Sequence, residues 1–150
     1  MKLVRESVKA MAGYVPGEQP RGGFIKLNTN ENPYPPSPRV LEMLKEVREE
    51  ALVRYPDPVC MGLRERIADV HGCAVENTLV GNGSDEVLAL CTQAFVENDQ
   101  VIASFDPSYS LYSTLAEIRD VPLVEVPLNE DFGWRWPPDN GAALFFLANP

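Results

Sequence analysis

One stretch, Val80-Gly81-Asn82-Gly83-Ser84-Asp85-Glu86, constrains the chain more than any other. It joins a short apolar run, Thr78-Leu79-Val80, to a helical pattern carried by Val87, Leu88, Cys91, Ala94 and Phe95. A strand that breaks at a glycine pair and re-enters a helix leaves the first N–H groups of that helix unpaired and aimed at one spot, where the helix dipole favours an anion. The residues therefore fit a phosphate cradle. They also fit a tight strand-to-helix connection in which Ser84 is simply the N-cap and the glycines make the turn.

The sequence around this turn alternates between two periodicities. Leu3, Val4, Val8 and Met11 have helical spacing, and Gly13-Tyr14-Val15-Pro16-Gly17 ends that pattern. A brief extended run over residues 24–27 comes next. Residues 28–38 then hold three asparagines and four prolines in eleven positions, which no regular element tolerates. Such a stretch reads as a loop stiffened by proline and supplied with amide donors, or else as a plain surface connector. Ser37 as N-cap and Pro38 at the first helical position predict a helix to about residue 51, with Val40, Leu41, Leu44 and Val47 on one face. Arg54-Tyr55-Pro56-Asp57-Pro58 breaks the chain, and Leu63, Ile67 and Val70 mark a helix that Gly72 stops. His71, just before that glycine, reads as a C-terminal helix charge or a bystander rather than a catalyst.

Beyond the glycine turn, a helix is expected from Ser84 to about residue 96, then a buried strand over 100–105. Asp106-Pro107-Ser108-Tyr109 leaves it. Leu111, Tyr112, Leu115, Ala116 and Ile118 carry a helix, residues 122–128 a strand, and Asp131-Phe132-Gly133 a turn. Trp134 and Trp136 sit in a Pro-bounded loop before a last apolar strand over 142–148. Strands alternating with helices imply an α/β protein with a mostly parallel sheet covered on both faces. The sequence reaches Asn149-Pro150 directly after a strand with no covering helix, at the sheet edge where open α/β sheets collect ligands. This reads as a cut, and a fragment of a longer protein is expected.

Charge narrows the partners. The 22 acidic and 13 basic side chains give a net charge of −9, which argues against nucleic acid or an anionic membrane as a partner. A small anion must then be held locally, by backbone N–H groups and a few side chains. Cys60, Cys73 and Cys91 include no CxxC pair, and with one histidine a zinc site is not expected. Free, buried cysteines in a reducing cytosol are expected instead. Lys2, Arg5 and Lys9 interrupt the N-terminal apolar residues, unlike a signal peptide, and no segment has bilayer-spanning length; a cytoplasmic chain is expected.

Five motifs now stand in order: Lys26-Leu27-Asn28-Thr29-Asn30-Glu31-Asn32-Pro33-Tyr34, Arg54-Tyr55-Pro56-Asp57-Pro58, Gly81-Asn82-Gly83-Ser84-Asp85-Glu86, Pro107-Ser108-Tyr109-Ser110-Leu111-Tyr112 and Phe146-Leu147-Ala148-Asn149-Pro150. With them the chain resembles the pyridoxal-phosphate-dependent aminotransferases of the aspartate-aminotransferase fold (fold type I), and most closely the histidinol-phosphate aminotransferases. The resemblance covers nearly everything from Tyr14 onward. It implies residues 1–36 as an N-terminal helix and substrate-side arm, and 37–150 as the first part of the cofactor-binding large domain. It implies that Gly83, Ser84 and Asp85 wrap the phosphate of pyridoxal 5'-phosphate and that Tyr109 lies flat on the pyridine ring; a core tyrosine at a helix start is the alternative. Tyr55 would reach the phosphate of the neighbouring subunit in a homodimer, and Tyr14 and Asn30 would belong to the arm that closes over the substrate. The implied reaction exchanges an amino group between glutamate and imidazole-acetol phosphate, giving histidinol phosphate and 2-oxoglutarate in histidine biosynthesis.

The sequence departs from the pattern at one point. Its lysines are Lys2, Lys9, Lys26 and Lys45, none in a motif matching the lysine that holds the cofactor as a Schiff base. That lysine, the ring-contacting asparagine, the aspartate for the pyridine nitrogen and the substrate-binding arginines are expected beyond Pro150, so residues 1–150 alone are expected to be inactive. Three alternatives remain. One is another aminotransferase or an amino-acid-phosphate decarboxylase on the same scaffold, another is an aminotransferase-like ligand sensor or interaction module, and the last is an unrelated phosphate binder. The absence of GxxxxGK[ST] and GxGxxG disfavours the common nucleotide folds.

Overall fold

The sheet that positions the glycine turn has three parallel strands in the order β2-β1-β3: β1 (Val101–Asp106), β2 (Leu123–Pro127) and β3 (Ala142–Phe146). It is seen in a computed structural model that describes residues 3–12, 17–19, 21–29, 31–135 and 141–149. The central strand β1 pairs Ile102 with Leu123 and Phe105 with Val126 on one side, and Ile102 with Leu144 and Ser104 with Phe146 on the other. Residues Ile102, Ala103, Ser104 and Phe105 are all buried, so the apolar run predicted as a strand is apolar because both of its faces are covered.

Chain contacts divide the protein into two units, Met1–Ala12 with Leu79–Pro150, and Gly13–Thr78. In the first, α5 (Ser84–Phe95) and α6 (Leu111–Arg119) cover the sheet. The core gathers Val96, Ile102, Tyr112, Leu115, Ala116, Val121 and Phe146, with Leu88 and Ala89 of α5 packed on it. The C-terminal ends of both helices have specific partners. The Arg119 guanidinium donates from Nε (3.1 Å) and Nη2 (2.8 Å) to the carbonyl of Val96, just past the end of α5. At the end of α6, Asp120 takes the left-handed conformation (φ 64°), and Val121 N–H reaches back to Ala116 O at 3.1 Å, a Schellman closure with aspartate in the glycine position. On the other side of the sheet Phe105 meets Phe145 and Trp134, with ring centroids 5.1 and 5.5 Å away. The N-terminal helix α1 spans only Glu6–Ala10, shorter than its periodicity predicts, and packs on α6, with Arg5 Nη2 donating to Ile118 O at 2.6 Å.

The second unit holds α2 (Pro38–Lys45), α3 (Glu49–Val53), α4 (Met61–His71) and one tight helical turn, Val75–Asn77. Ser37 and Pro38 open α2 as predicted, the Ser37 hydroxyl accepting from Arg39 N–H. The single helix expected to residue 51 is instead two. Glu46 N–H closes back on Met43 O, Arg48 is extended, and Glu49 and Glu50 become the first turn of α3. Acidic residues are favourable at a helix start and gain nothing mid-helix, so the break suits them. The predicted apolar side of α2 exists, but Val40, Leu41, Leu44 and Val47 are 46–64% exposed. Gly72 ends α4 in the left-handed conformation (φ 64°) with Cys73 N–H on Ala68 O, as its position in the sequence predicts, and His71 is the basic residue of that last turn. Arg64 then ties α4 to residues 75–78, donating to Thr78 O (3.0 Å) and Val75 O (2.9 Å).

Three further expectations need correction. Residues 24–27 form no strand. Residues 78–80 are not paired as a strand among the described residues. The cysteines are free, but Cys60 and Cys73 are exposed and Cys91 half-buried. No helix among the described residues is long and apolar enough to cross a membrane.

Candidate functional site

The glycine turn and the residues leaving β1 meet at one end of the sheet. Gly83, not Ser84, is the N-cap of α5, and Ser84 is its first helical residue. The reason is conformational. Gly83 has φ 84° and ψ 173°, a region open essentially to glycine alone, and the chain can enter the helix here only through a residue without a side chain. Its own N–H closes on Gly81 O at 3.0 Å. With glycine as the cap, no side chain caps the helix, and the N–H groups of the first turn of α5 precede the first intrahelical bond. A Cβ on Gly83 would meet nothing within 4 Å, so the space in front of the turn is open.

The two carboxylates of the first turn are both engaged elsewhere. Asp85 Oδ1 accepts from the Tyr109 hydroxyl (3.2 Å) and from Ser84 Oγ (3.4 Å). Glu86 Oε2 accepts from Asn82 N–H (2.5 Å) and Asn82 Nδ2 (3.1 Å). Tyr109 is thereby held from two directions. Its hydroxyl is anchored on α5, and its ring meets Tyr112 edge-on at 5.7 Å; Tyr112 in turn stacks on Phe146 of β3 at 4.6 Å and 10°. Tyr109 as a whole remains 47% exposed, so it is not the core tyrosine of the alternative reading; that role falls to Tyr112, which is 7% exposed.

The structure thus brings Gly83, Ser84, Asp85 and Tyr109 together. Tyr55 lies in the second unit, directly after α3, with its side chain fully exposed. Its loop is ordered by Asp57, whose carboxylate accepts from Val59 N–H (3.1 Å) and Met61 N–H (2.5 Å) and starts α4. Tyr14 and Asn30 lie outside the described residues. Around Asn30 the loop is braced by its own side chains. Lys26 Nζ donates to Thr29 Oγ1 (2.8 Å) and pairs with Glu31, Asn28 Nδ2 donates to Glu18 O (3.0 Å), and Asn32 Oδ1 accepts from Tyr34 N–H (3.0 Å). The hydrogen bond from Lys26 holds the Glu31 carboxyl below the usual glutamate range. Two contacts escape sequence reasoning. The Asp85–Tyr109 bond spans 24 residues and has no local signal. The Glu86–Asn82 bond does have one: a glutamate three residues after the cap position is the usual mark of a side chain that reaches back across a helix start.

A sequence model of the family described as aminotransferase class I and II matches residues 23–138. Among the similar proteins is the histidinol-phosphate aminotransferase of Rippkaea orientalis, 45% identical over the whole of this chain and 43% of its own length. That of Chromohalobacter salexigens is 46% identical over 99% of this chain and 43% of its own. Histidinol-phosphate aminotransferase 1 of Burkholderia pseudomallei is 50% identical over 83% of this chain and 36% of its own. The chain therefore spans less than half the length of the curated relatives it matches. Among solved structures, the histidinol-phosphate aminotransferase of Sinorhizobium meliloti in complex with pyridoxal-5'-phosphate superposes with a TM-score of 0.62 at 24% identity, over 69% of this chain and 28% of that one. The fold is that of these enzymes.

Proposed function

The chain belongs to the aminotransferase class I and II family, and on that premise we propose that the protein containing it is a pyridoxal-phosphate-dependent enzyme of histidine biosynthesis. It exchanges an amino group between glutamate and imidazole-acetol phosphate, giving L-histidinol phosphate and 2-oxoglutarate. The observation that carries this reading is the uncapped start of α5 facing open space, with an anchored, exposed tyrosine beside it. The names of relatives 45–46% identical over nearly the whole chain support the substrate.

The fit to pyridoxal 5'-phosphate can be tested on the residues themselves. Its phosphate needs donors that a chain of net charge −9 does not offer through its overall field, and the free amides of Ser84 and Asp85 supply them without any basic residue. The exposed ring of Tyr109 offers a flat face whose tilt is set by Asp85 and Tyr112. The group fits. When bound, the cofactor supplies the electron sink that stabilises charge at the substrate carbon. These residues contribute binding and orientation. In the same reading Tyr55 reaches the phosphate site of a second subunit in a homodimer, and its full exposure supports a role outside its own unit. Tyr14 and Asn30 face the substrate from the arm of residues 1–36, while 37–150 begin the large domain. The partners are small molecules and a second copy of the chain, in the cytoplasm, without nucleic acid or membrane.

We assign the proton-moving lysine to a part of the protein outside residues 1–150. Lys9 is paired with Glu6, and Lys26 with Glu31 and Thr29, each bound to a neighbour in its own segment. The test is amino-group exchange by the full-length protein with pyridoxal phosphate, comparing histidinol phosphate with aromatic amino acids as donors to 2-oxoglutarate. Preference for histidinol phosphate is expected, with one borohydride-reducible cofactor adduct by intact mass and no exchange by residues 1–150 alone. Preference for an aromatic amino acid would move the enzyme to the neighbouring specificity, and absence of any adduct would leave only a binding module.

A further inference from the structure

We infer that Glu86 is a positioning residue for the phosphate cradle, clamping Asn82 so that the glycine turn presents the first amides of α5 to an anion. The inference rests on the cofactor-binding role proposed for this turn. Two acidic residues in the first turn of a helix are the natural competitors of an anionic ligand, since either carboxylate can fold onto the free amides and take them. Here both are occupied. Asp85 is taken by Tyr109 and Ser84, and Glu86 is drawn past the helix start to the N–H and the side-chain amide of Asn82. The single oxygen Oε2 accepts both of the Asn82 bonds, which fixes the residue between the two glycines from both its backbone and its side chain.

Gly81 supplies an independent observation. A Cβ at this position would lie 2.9 Å from Glu86 Oε2 and 3.1 Å from Val87 Cγ2. A side chain at 81 would therefore push the carboxylate tip of Glu86 away from its present position on Asn82. Gly81 and Glu86 act as one device, the first making the space and the second filling it, while Gly83 carries the backbone turn.

The test uses the full-length protein freed of cofactor, with pyridoxal phosphate as the probe and its dissociation constant read by absorbance or fluorescence titration. Glu86→Ala is expected to weaken binding on the order of tenfold, through loss of the two hydrogen bonds that hold Asn82. Glu86→Gln is expected to restore it, because one carbonyl oxygen can accept both bonds. Gly81→Ala should match Glu86→Ala, and the double variant should be no weaker than either, since each removes the same clamp. Arg119→Ala is the stability control. It releases the far end of α5 at the Val96 carbonyl, and it should lower the Tm without changing the dissociation constant. If Glu86→Ala lowers Tm but leaves the dissociation constant at the wild-type value, as Arg119→Ala does, the inference is overturned. Additive losses in the double variant overturn it equally. A wild-type protein that binds no pyridoxal phosphate overturns the proposed function instead, and amide exchange at Asn82 still reports the clamp: faster exchange in Glu86→Ala supports it, and unchanged exchange removes it.

Discussion

Replacing Gly83 by alanine separates the conformational demand of the turn from its packing. At φ 84° and ψ 173° a side chain is strained wherever it points, yet a Cβ there meets nothing within 4 Å. No steric clash enters the cost. The strain of holding a non-glycine residue in this region is roughly 1–3 kcal/mol. Alanine also narrows the unfolded ensemble, which returns about 0.4–1 kcal/mol. The net expectation is a loss of up to about 2.6 kcal/mol, centred on about 1.3 kcal/mol, read as a shift in the urea midpoint of the cofactor-free full-length protein at unchanged slope. Cofactor affinity should fall as well, because a turn that relaxes by moving ψ turns the Ser84 amide away. Gly83→Asn sharpens the test. Asparagine tolerates the left-handed helical region, where ψ is near +47°, but gains nothing at ψ 173°. It should be as costly as alanine. An asparagine variant with wild-type stability, or an alanine variant unchanged in both midpoint and affinity, would refute the reasoning, since the turn would then not need glycine's conformation at all.

Other substitutions probe the core, the tyrosine and the arm. Ile102→Ala, at the one large side chain with no exposure among the described residues, should cost roughly 2–5 kcal/mol in the same denaturation experiment. Ile118→Ala, 46% exposed on α6, should stay within about 1 kcal/mol of wild type. Tyr109→Phe keeps the ring against Tyr112 and removes the bond to Asp85, so cofactor affinity should fall by less than about tenfold, about 1 kcal/mol for one exposed hydrogen bond; a complete loss of binding would show the hydroxyl acting on the ligand directly. The Glu31 carboxyl is lowered in the folded protein, so the stability it contributes is fully present above the ordinary glutamate value of about 4.3 and is lost as pH falls through the lower folded value. A carbon-detected NMR titration should place its midpoint below that ordinary value, and Lys26→Met should return it there.

What the sequence makes legible is what has a local cause. Pro38 after Ser37 starts α2, Gly72 stops α4, and the apolar run at residues 101–105 becomes a buried parallel strand, each because the decisive partner lies within a few residues or on the same element. Where the deciding partner is distant or absent, periodicity misleads. Val47 continues the apolar face of α2, yet the helix ends before it, because the acidic pair Glu49 and Glu50 is better placed at a new helix start. Ser84 has the right chemistry for an N-cap but sits one residue late, since the backbone turn can be made only at Gly83. The contacts that shape the candidate site are the least legible of all. Asp85 and Tyr109 are 24 residues apart, and Tyr112 stacks on Phe146 from a different strand, so only the folded sheet brings them together.

Charge shows the same limit with a consequence for the site. Read as a total, −9 gives a field that repels an anion, and two acidic residues in the first turn of α5 add to that repulsion. Read residue by residue, the objection dissolves. The carboxylate of Asp85 is turned to Tyr109 and that of Glu86 to Asn82, each satisfied by a donor outside the row of free amides. At distances of a few ångströms the orientation of two carboxylates and a few N–H dipoles outweighs a net charge spread over the surface and screened beyond about 8–10 Å by salt. On the proposed reading an acidic protein would hold a phosphate here because its nearest negative charges are occupied, with Gly83 making the turn and Gly81 leaving the Glu86 carboxylate its place.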